Sequence, residues 1–141
     1  AGIVPYRAYR TTDGDLVVAA GNDALYAQLC RAVGHPEWID DPRFLTNPLR
    51  VQHAHELYPL LEACFASADS QTWVERLDAA GVPCAPVQDV AGMLAHPQVA
   101  ALNLLQPIPG SSIPAIGLPV RFDGQRPQPR SGPPALGEFD K

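Results

Sequence analysis

The chain has 141 residues and a formal net charge of −5, from 15 acidic residues against 10 basic ones. This mildly acidic balance argues against nucleic acid as a partner, because nucleic-acid binders neutralise phosphates with a basic surface. Lys141 is the only lysine, so the interior lysine of a phosphate-binding P-loop is missing. No apolar run approaches the roughly 18 residues of a membrane helix, so we expect no membrane partner.

The first residue is Ala1, and the only methionine is Met93. The opening residues AGIVPYR have neither the charged region nor the apolar region of a signal peptide. The three cysteines form no C-x-x-C pair and do not suggest a disulfide framework or a zinc site. We therefore expect reduced thiols, a cytoplasmic location, and a longer natural polypeptide in which Ala1 is an internal residue.

A β-hairpin is the clearest local pattern, over residues 5–20. The run from Tyr6 to Thr12 is rich in aromatic and β-branched residues, and Leu16 to Ala20 returns as an apolar strand. Between them, Asp13-Gly14 matches a two-residue turn of type I′, which requires positive φ angles. We predict that these two residues alone connect the strands.

Three helical runs follow the hairpin. Asn22 or Asp23 caps the first run, which ends at Gly34. The second begins at Asn47-Pro48 and contains Pro59, which we expect to kink or split it. The third has capping-box spacing from Thr72 to Glu75 and ends at Gly81.

The remaining segments are short. We expect four residues of the connector 35–47 to pack on the core: Trp38, Ile39, Phe44 and Leu45. Residues 82–87 must be extended, because residues before proline avoid the helical region. Asp89 caps a short helix from Val90 to Ala95, one more turn covers 98–102, and edge strands lie near 104–108 and 116–122. A Pro-rich extended tail starts at about Gln125. The order indicates an α+β fold: a hairpin, three to five short helices, short edge strands and the tail.

Candidate reactive residues form no complete catalytic set. His53 and His55 are two positions apart, and on one helix they would point roughly 200° apart, so we predict no metal site. Cys84 lies in the apolar sequence GVPCAPV without a nearby base, which favours an inert thiol over a nucleophile. The pairs Asp13/Asp15 and Asp40/Asp41 flank turns, where aspartate usually serves the backbone. Ser111-Ser112 lacks the glycines of a nucleophile elbow. We therefore assign no catalytic residue.

Five motifs in order resemble one family. They are PYRAYRTTDGDLVVAAGND at 5–23, DDPRFLTNPLRVQH at 40–53, GVPCAPV at 81–87, HPQV at 96–99 and PPALGEF at 133–139. Together they resemble the smaller domain of the family III CoA-transferases, also called the CaiB/BaiF family. The match covers nearly the whole chain, and its opening is most similar to the succinyl-CoA:dicarboxylate type.

The resemblance implies a small α+β domain over 1–141, with the extended tail at about 125–141 and the large Rossmann-like domain absent. In this family an aspartate of the large domain attacks the acyl-CoA and forms an anhydride and then an aspartyl-CoA thioester. A glycine-rich loop covers that intermediate and would lie just before Ala1. Coenzyme A is then a substrate of the full-length parent, and no cofactor is assigned to this chain.

The same resemblance implies the partners and the site. The partners would be the large domain, a second identical subunit, and acyl-CoA and carboxylate substrates. Val4, Pro5 and Tyr6 would emerge from the loop and face the substrate. Trp38, Trp73 and the GVPCAPV segment would serve core and interdomain packing. Phe139 stands where the family commonly has a histidine, so a polar role there is in doubt.

Other functions remain open. The chain fits a standalone binding module with a core but no catalytic set. It also fits the same domain of an α-methylacyl-CoA racemase-like or carnitine CoA-transferase-like enzyme. A small hydrolase that uses Cys84 as its nucleophile is a further hypothesis.

Overall fold

The computed structural model describes residues 2–138 and divides into two compact units, Ala1–Val87 and Gln88–Lys141. The first unit contains β1 (Tyr6–Arg10), β2 (Asp15–Ala19), α1 (Asp23–Ala32), a 3₁₀ helix (Pro36–Ile39), α2 (Asn47–Gln52), α3 (Ala54–Phe65), α4 (Ser70–Ala79) and β3 (Cys84–Pro86). The second contains α5 (Val90–Ala95), α6 (Pro97–Ala101), β4 (Leu105–Gln106) and β5 (Ala115–Ile116). The α+β class is confirmed, with six α-helices in the described residues.

The first unit is built on a three-stranded antiparallel sheet in the order β1-β2-β3. Tyr6 lies opposite Ala19, and Arg10 lies opposite Asp15. On the other side of β2, Val18 lies opposite Cys84. The predicted hairpin and the extended GVPCAPV segment are thus confirmed, and that segment supplies the third strand.

The connection between β1 and β2 is longer than predicted. Arg10 and Asp15 form the last pair, so four residues, 11–14, make the turn. Gly14 is not among the glycines with positive φ, so the predicted type I′ turn is wrong. The cause is a tertiary contact: Asp13 Oδ1 accepts hydrogen bonds from Ser70 N–H at 2.8 Å, Ser70 Oγ at 2.9 Å and Thr11 Oγ1 at 2.9 Å. The conformation of the turn is therefore determined by the contact of Asp13 with the start of α4 and not by the turn preference of the Asp-Gly dipeptide.

Aromatic side chains join the sheet to the helices of the first unit. The Phe65 ring stacks on Tyr9 at a centroid distance of 4.7 Å and meets Trp73 edge-on at 4.9 Å. Trp73 Nε1 donates to the Phe65 carbonyl oxygen at 3.0 Å, which satisfies the buried indole. The core around them comprises, among others, Leu16, Val18, Leu29, Phe44, Leu57, Leu61 and Leu77. Five elements, β1, β2, α1, α3 and α4, therefore share one apolar core.

The second helical run divides at His53, six positions before the predicted break. Pro59 lies inside the continuous helix α3, so the alternative in which it splits the helix is wrong. Leu57 and Leu61 are buried on either side of it and keep the helix packed, while Pro59 itself is exposed. The carbonyl that lacks a partner because of Pro59 belongs to His55, also exposed, where water can bind it.

Two smaller expectations also change. The third helix begins at Ser70 rather than at Thr72, because Asp69 caps it by accepting from Thr72 N–H at 2.7 Å. In the connector, Trp38 and Phe44 are buried and Ile39 packs against the core, as predicted, but Leu45 is exposed.

The second unit has short elements. Asp89 Oδ1 accepts from Gly92 N–H at 2.7 Å and caps α5, as predicted. β4 and β5 pair antiparallel over two residues each, so the predicted strands at 104–108 and 116–122 are too long. Prolines at 107, 109, 114 and 119 explain this, because they cannot donate to a strand ladder. No helix or strand is found within 126–138, the described part of the predicted tail.

Leu60 and Leu61 are adjacent on α3 and provide a matched test of the core. Leu61 is fully buried, whereas Leu60 is 37% exposed. We expect Leu61→Ala to lower the free energy of unfolding by about 2–5 kcal/mol, because it leaves a cavity. Leu60→Ala should cost less than about 1 kcal/mol. Chemical denaturation of both variants measures the difference, and equal losses would contradict this core.

Asp13 should make the stability of the protein depend on pH in the acidic range. Hydrogen bonds from Ser70, and then from Thr11, hold the pKa of Asp13 below its usual range. Its contribution is therefore present above the pKa of the unfolded chain and is lost as pH falls through the folded pKa. We expect Asp13→Ala to lower the thermal midpoint at pH 7, with the difference from wild type shrinking below about pH 4. Asp40→Ala, which removes an exposed carboxylate of the connector 35–47, is the control and should leave the thermal midpoint at pH 7 close to that of wild type.

Candidate functional site

The N-terminal segment, residues 2–6, leads into β1 and contains the three residues predicted to face a substrate. Val4 is 4% exposed and belongs to the core, and Pro5 is also buried. Tyr6 is 57% exposed. Among the three, only Tyr6 presents its side chain to solvent, while Val4 and Pro5 anchor the segment.

Asn47 holds this segment from α2. Its Oδ1 accepts from Val4 N–H at 2.9 Å, and its Nδ2 donates to the Gly2 carbonyl oxygen at 3.0 Å. The predicted helix start at Asn47 is confirmed, with Thr46 as the flanking residue, and the Asn47 side-chain amide also bonds to the N-terminal segment. One side chain therefore fixes two backbone groups of the segment.

Arg50, one turn further along α2, is fully buried and completes the attachment. Its Nε donates to the Val4 carbonyl oxygen at 2.7 Å, and its Nη1 donates to the Phe44 carbonyl oxygen at 2.9 Å. Its Nη2 donates to Asp23 Oδ1 at 2.6 Å. The guanidinium also lies over the Tyr26 ring, 4.3 Å from its centroid. A buried charge is tolerated because its donors meet acceptors in a fixed fork.

The role of Arg50 in holding the N-terminal segment is not predicted from the sequence. Its signal was weak but present: an arginine in the run that begins at Asn47, three positions after it, where both side chains share a helix face. Nothing in the local pattern names its partners, since Val4 lies 46 positions away and Asp23 lies 27 away.

The cysteines have the character of core residues. Burial raises the pKa of the Cys30 thiol to about 11 and also raises the pKa of Cys64 and Cys84. Cys84 Sγ lies 4.0 Å from the carboxylate oxygen Oδ1 of Asp78. A raised pKa and a neighbouring carboxylate both disfavour the thiolate, so the geometry gives no support to Cys84 as a hydrolase nucleophile.

His53 and His55 do not diverge as their spacing predicted. His53 lies at the junction between α2 and α3, so the two residues do not share one regular helix. Their ring centroids are 6.5 Å apart, and His53 Nδ1 lies 2.7 Å from Glu56 Oε1. Across residues 2–138, no group of three or more His, Cys, Asp or Glu side chains is arranged to hold a metal ion.

The paired carboxylates serve local structure. Arg43 makes two hydrogen bonds to Asp41, at 3.0 and 2.7 Å, and an ion pair to Glu56 at 2.5 Å. The hydrogen bond from Arg43 keeps the pKa of Asp41 below its usual range. Bonds from His53 and then from Arg43 do the same for Glu56. Such carboxylates stay ionised at neutral pH and are unsuited to donating a proton.

A pocket of about 540 Å³ lies on the helical face of the first unit. Its walls include Trp38, Trp73, His35, Cys64 and Leu60. The His35 ring stacks parallel to Trp38 at a centroid distance of 4.2 Å. The indoles predicted to serve packing therefore line the floor of an open, mainly apolar recess.

No helix among residues 2–138 is both long enough and apolar enough to cross a membrane. The longest is α3, with 12 residues.

Solved structures with the same fold were found. A CaiB/BaiF family protein from Brucella suis matches with a TM-score of 0.84 and 32% identity, over 96% of this chain and 35% of that one. This chain therefore shares its fold, over nearly its whole length, with about a third of that larger protein.

Similar sequences are larger proteins. An acyl-CoA transferase of Fusarium pseudograminearum is 41% identical over 141 residues, which is 96% of this chain and 31% of that protein. Succinyl-CoA:glutarate CoA-transferase of Mus musculus is 34% identical over 142 residues, which is 99% of this chain and 33% of that protein. The chain therefore spans about a third of the length of the curated relatives it matches.

The model of CoA-transferase family III matches residues 1–139. Phe139, the residue predicted to depart from the family pattern, lies outside the described residues. With a family match over nearly all of its length and the fold to go with it, this chain belongs to CoA-transferase family III.

Proposed function

We propose that the chain is the smaller domain of an acyl-CoA transferase that moves CoA between carboxylic acids. The observation that carries this proposal is the family match over 1–139, together with relatives three times as long that are named as CoA-transferases. The absence of a nucleophile with an activating base among residues 2–138 fits a division of labour, in which the attacking aspartate belongs to a large domain outside this chain.

The contribution of this chain would be to wall the acyl pocket and to supply dimer surface. Of the three residues predicted to face the substrate, Tyr6 is the one free to meet it, because its side chain is exposed while Val4 and Pro5 are buried. Asn47 and Arg50 would hold the segment in place during the reaction. A wall that does not shift keeps the reacting groups aligned and excludes water from a hydrolysable intermediate.

The proposed class of substrate is taken from the names of two similar proteins. Those of Mus musculus and Agrobacterium fabrum carry names that specify succinyl or succinate and glutarate. We propose a dicarboxylate as acceptor and the CoA thioester of a second dicarboxylate as donor, which leaves as the free acid, in a cytoplasmic homodimer. A racemase-like or carnitine-type parent, or a standalone binding module, are the alternatives that the following test separates.

The intact mass of the natural gene product in its own cell extract tests the domain assignment. We expect a dimer of chains well above 15.1 kDa, the mass of these 141 residues. The purified product should transfer CoA from succinyl-CoA to glutarate. Chromatography of the CoA esters measures this transfer. A subunit of about 15 kDa would support the standalone module. A long chain that epimerises a 2-methylacyl-CoA without transferring CoA would support the racemase, and one that transfers CoA to carnitine but not to glutarate would support the carnitine type.

Asn47→Ala should reduce CoA transfer by more than its effect on stability explains. It removes two hydrogen bonds to the N-terminal segment, which together contribute about 1–2 kcal/mol, so we expect kcat/KM to fall about five- to thirtyfold.

Asn22→Ala is the matched control for this variant. Asn22 caps α1 by accepting from Leu25 N–H at 2.8 Å, and its loss costs a similar free energy of about 1 kcal/mol without touching the segment. Denaturation should show comparable losses for the two variants, while only Asn47→Ala slows transfer. Equal transfer rates would contradict a positioning role for Asn47.

A further inference from the structure

Two arginines of the second unit converge on one backbone atom. Arg121 Nη2 and Arg126 Nη2 each donate to the Leu102 carbonyl oxygen at 3.3 Å. Both side chains also line a pocket of about 470 Å³. Two guanidinium groups, each permanently charged, are thus held within a few ångströms of each other.

No carboxylate in the described part of the chain balances these charges. The pocket walls contain neither Asp nor Glu, and neither arginine forms an ion pair with a carboxylate of residues 2–138. Asp123 lies between them in sequence, but it occupies a turn at a φ of 47° and does not pair with either. Like charges this close repel, so the arrangement favours an anion between them.

The fold makes room for Arg126 specifically. A Cβ at Gly117, the residue after β5, would lie 2.7 Å from Arg126 Cδ and 2.8 Å from Gln106 Cγ, closer than real contacts allow. Gly117 has no left-handed φ, so the missing side chain, and not backbone freedom, is what this position uses. Arg126 lies across the glycine, and its Nη1 donates to the Leu118 carbonyl oxygen. Its guanidinium is therefore held on two sides.

The pocket has donors to spare. Arg121 uses one of its guanidinium N–H groups on a described acceptor. Asn103, Gln125 and Gln128 line the same pocket, and Gln128 Nε2 donates one hydrogen bond to the Arg126 carbonyl oxygen at 3.3 Å. Capping of the Leu102 carbonyl at the end of α6 would explain one arginine. It does not explain the second, because α6 has only 5 residues and its dipole is too small to attract two cations.

We propose that this pocket binds an oxyanion, a phosphate or carboxylate group, between Arg121 and Arg126. Both groups match the planar fork of a guanidinium, which offers parallel N–H donors. The site is made of residues of the second unit alone and does not depend on the proposed transfer reaction.

Calorimetric titration of the complete natural protein tests the site, with inorganic phosphate in one series and succinate in another. Wild type should show saturable binding of at least one anion. Arg126→Gln should weaken that binding about tenfold or more, because it removes a charged donor pair. Arg130→Gln is the matched control: it makes the same change of charge at an exposed residue of the second unit that does not line the pocket.

A second variant separates geometry from charge. Gly117→Ala keeps both arginines but puts a methyl group where Arg126 lies, so it should also weaken binding, with thermal unfolding to confirm that the variant is folded. Tighter binding of phosphate would identify a phosphorylated ligand, and tighter binding of succinate an organic acid. Identical titrations of wild type and Arg126→Gln with both anions, or equal losses in Arg130→Gln, would overturn the site. Neither result bears on CoA transfer, which is measured separately.

Discussion

The first unit depends on one buried cation. Arg50 reaches the N-terminal segment through Val4, the connector through Phe44 and the start of α1 through Asp23. These three regions are distant in sequence and make no regular secondary structure with one another. An apolar residue at position 50 could fill the space, but it would leave two carbonyl groups without a donor. Specific hydrogen bonds, rather than burial alone, therefore determine how the chain enters the sheet.

Asp13 has the corresponding role at the far end of the hairpin. Its carboxylate receives the first N–H of α4 and the hydroxyl groups of Ser70 and Thr11. Both ends of the hairpin are therefore attached to a helix by a polar side chain, and the Tyr9–Phe65 stack attaches its middle. A sheet fixed at three points gives the N-terminal segment little freedom, which is the property that a wall of an acyl pocket would need.

Local signals predicted most of the elements. Asn22, Asp89, Gly34 and Gly81 carry their information in their own neighbourhood, since a cap or a left-handed φ needs no distant partner. Two of the failures share a cause: the turn at Asp13-Gly14 and the continuation of the helix through Pro59 depend on packing or on contacts elsewhere in the chain. The short strands instead follow from prolines in their own segments. Ser70 lies 57 positions from Asp13. No window on the sequence contains both residues.

The candidate site shows the same division. The resemblance to the family drew attention to Val4, Pro5 and Tyr6, but it did not distinguish the two buried residues from the exposed one. That distinction arises at the entrance to β1, where the Val4 backbone is bonded on both sides by α2. Asn47 and Arg50 make those bonds. In the sequence they resemble ordinary helix residues, because Val4 lies more than 40 positions away from both.

The two units differ in how far they can support themselves. The first has a continuous core of sixteen buried residues, whereas Val99 is the only large apolar side chain buried in the described part of the second. Several apolar residues of the second unit are exposed instead, among them Val90, Ile113, Ile116 and Phe122. Apolar surface on this scale usually meets another protein surface, because exposing it to water is unfavourable. The second unit therefore gives physical support to the proposal that a larger domain or a second subunit accompanies this chain, and the first unit supplies the stable part to which it is joined.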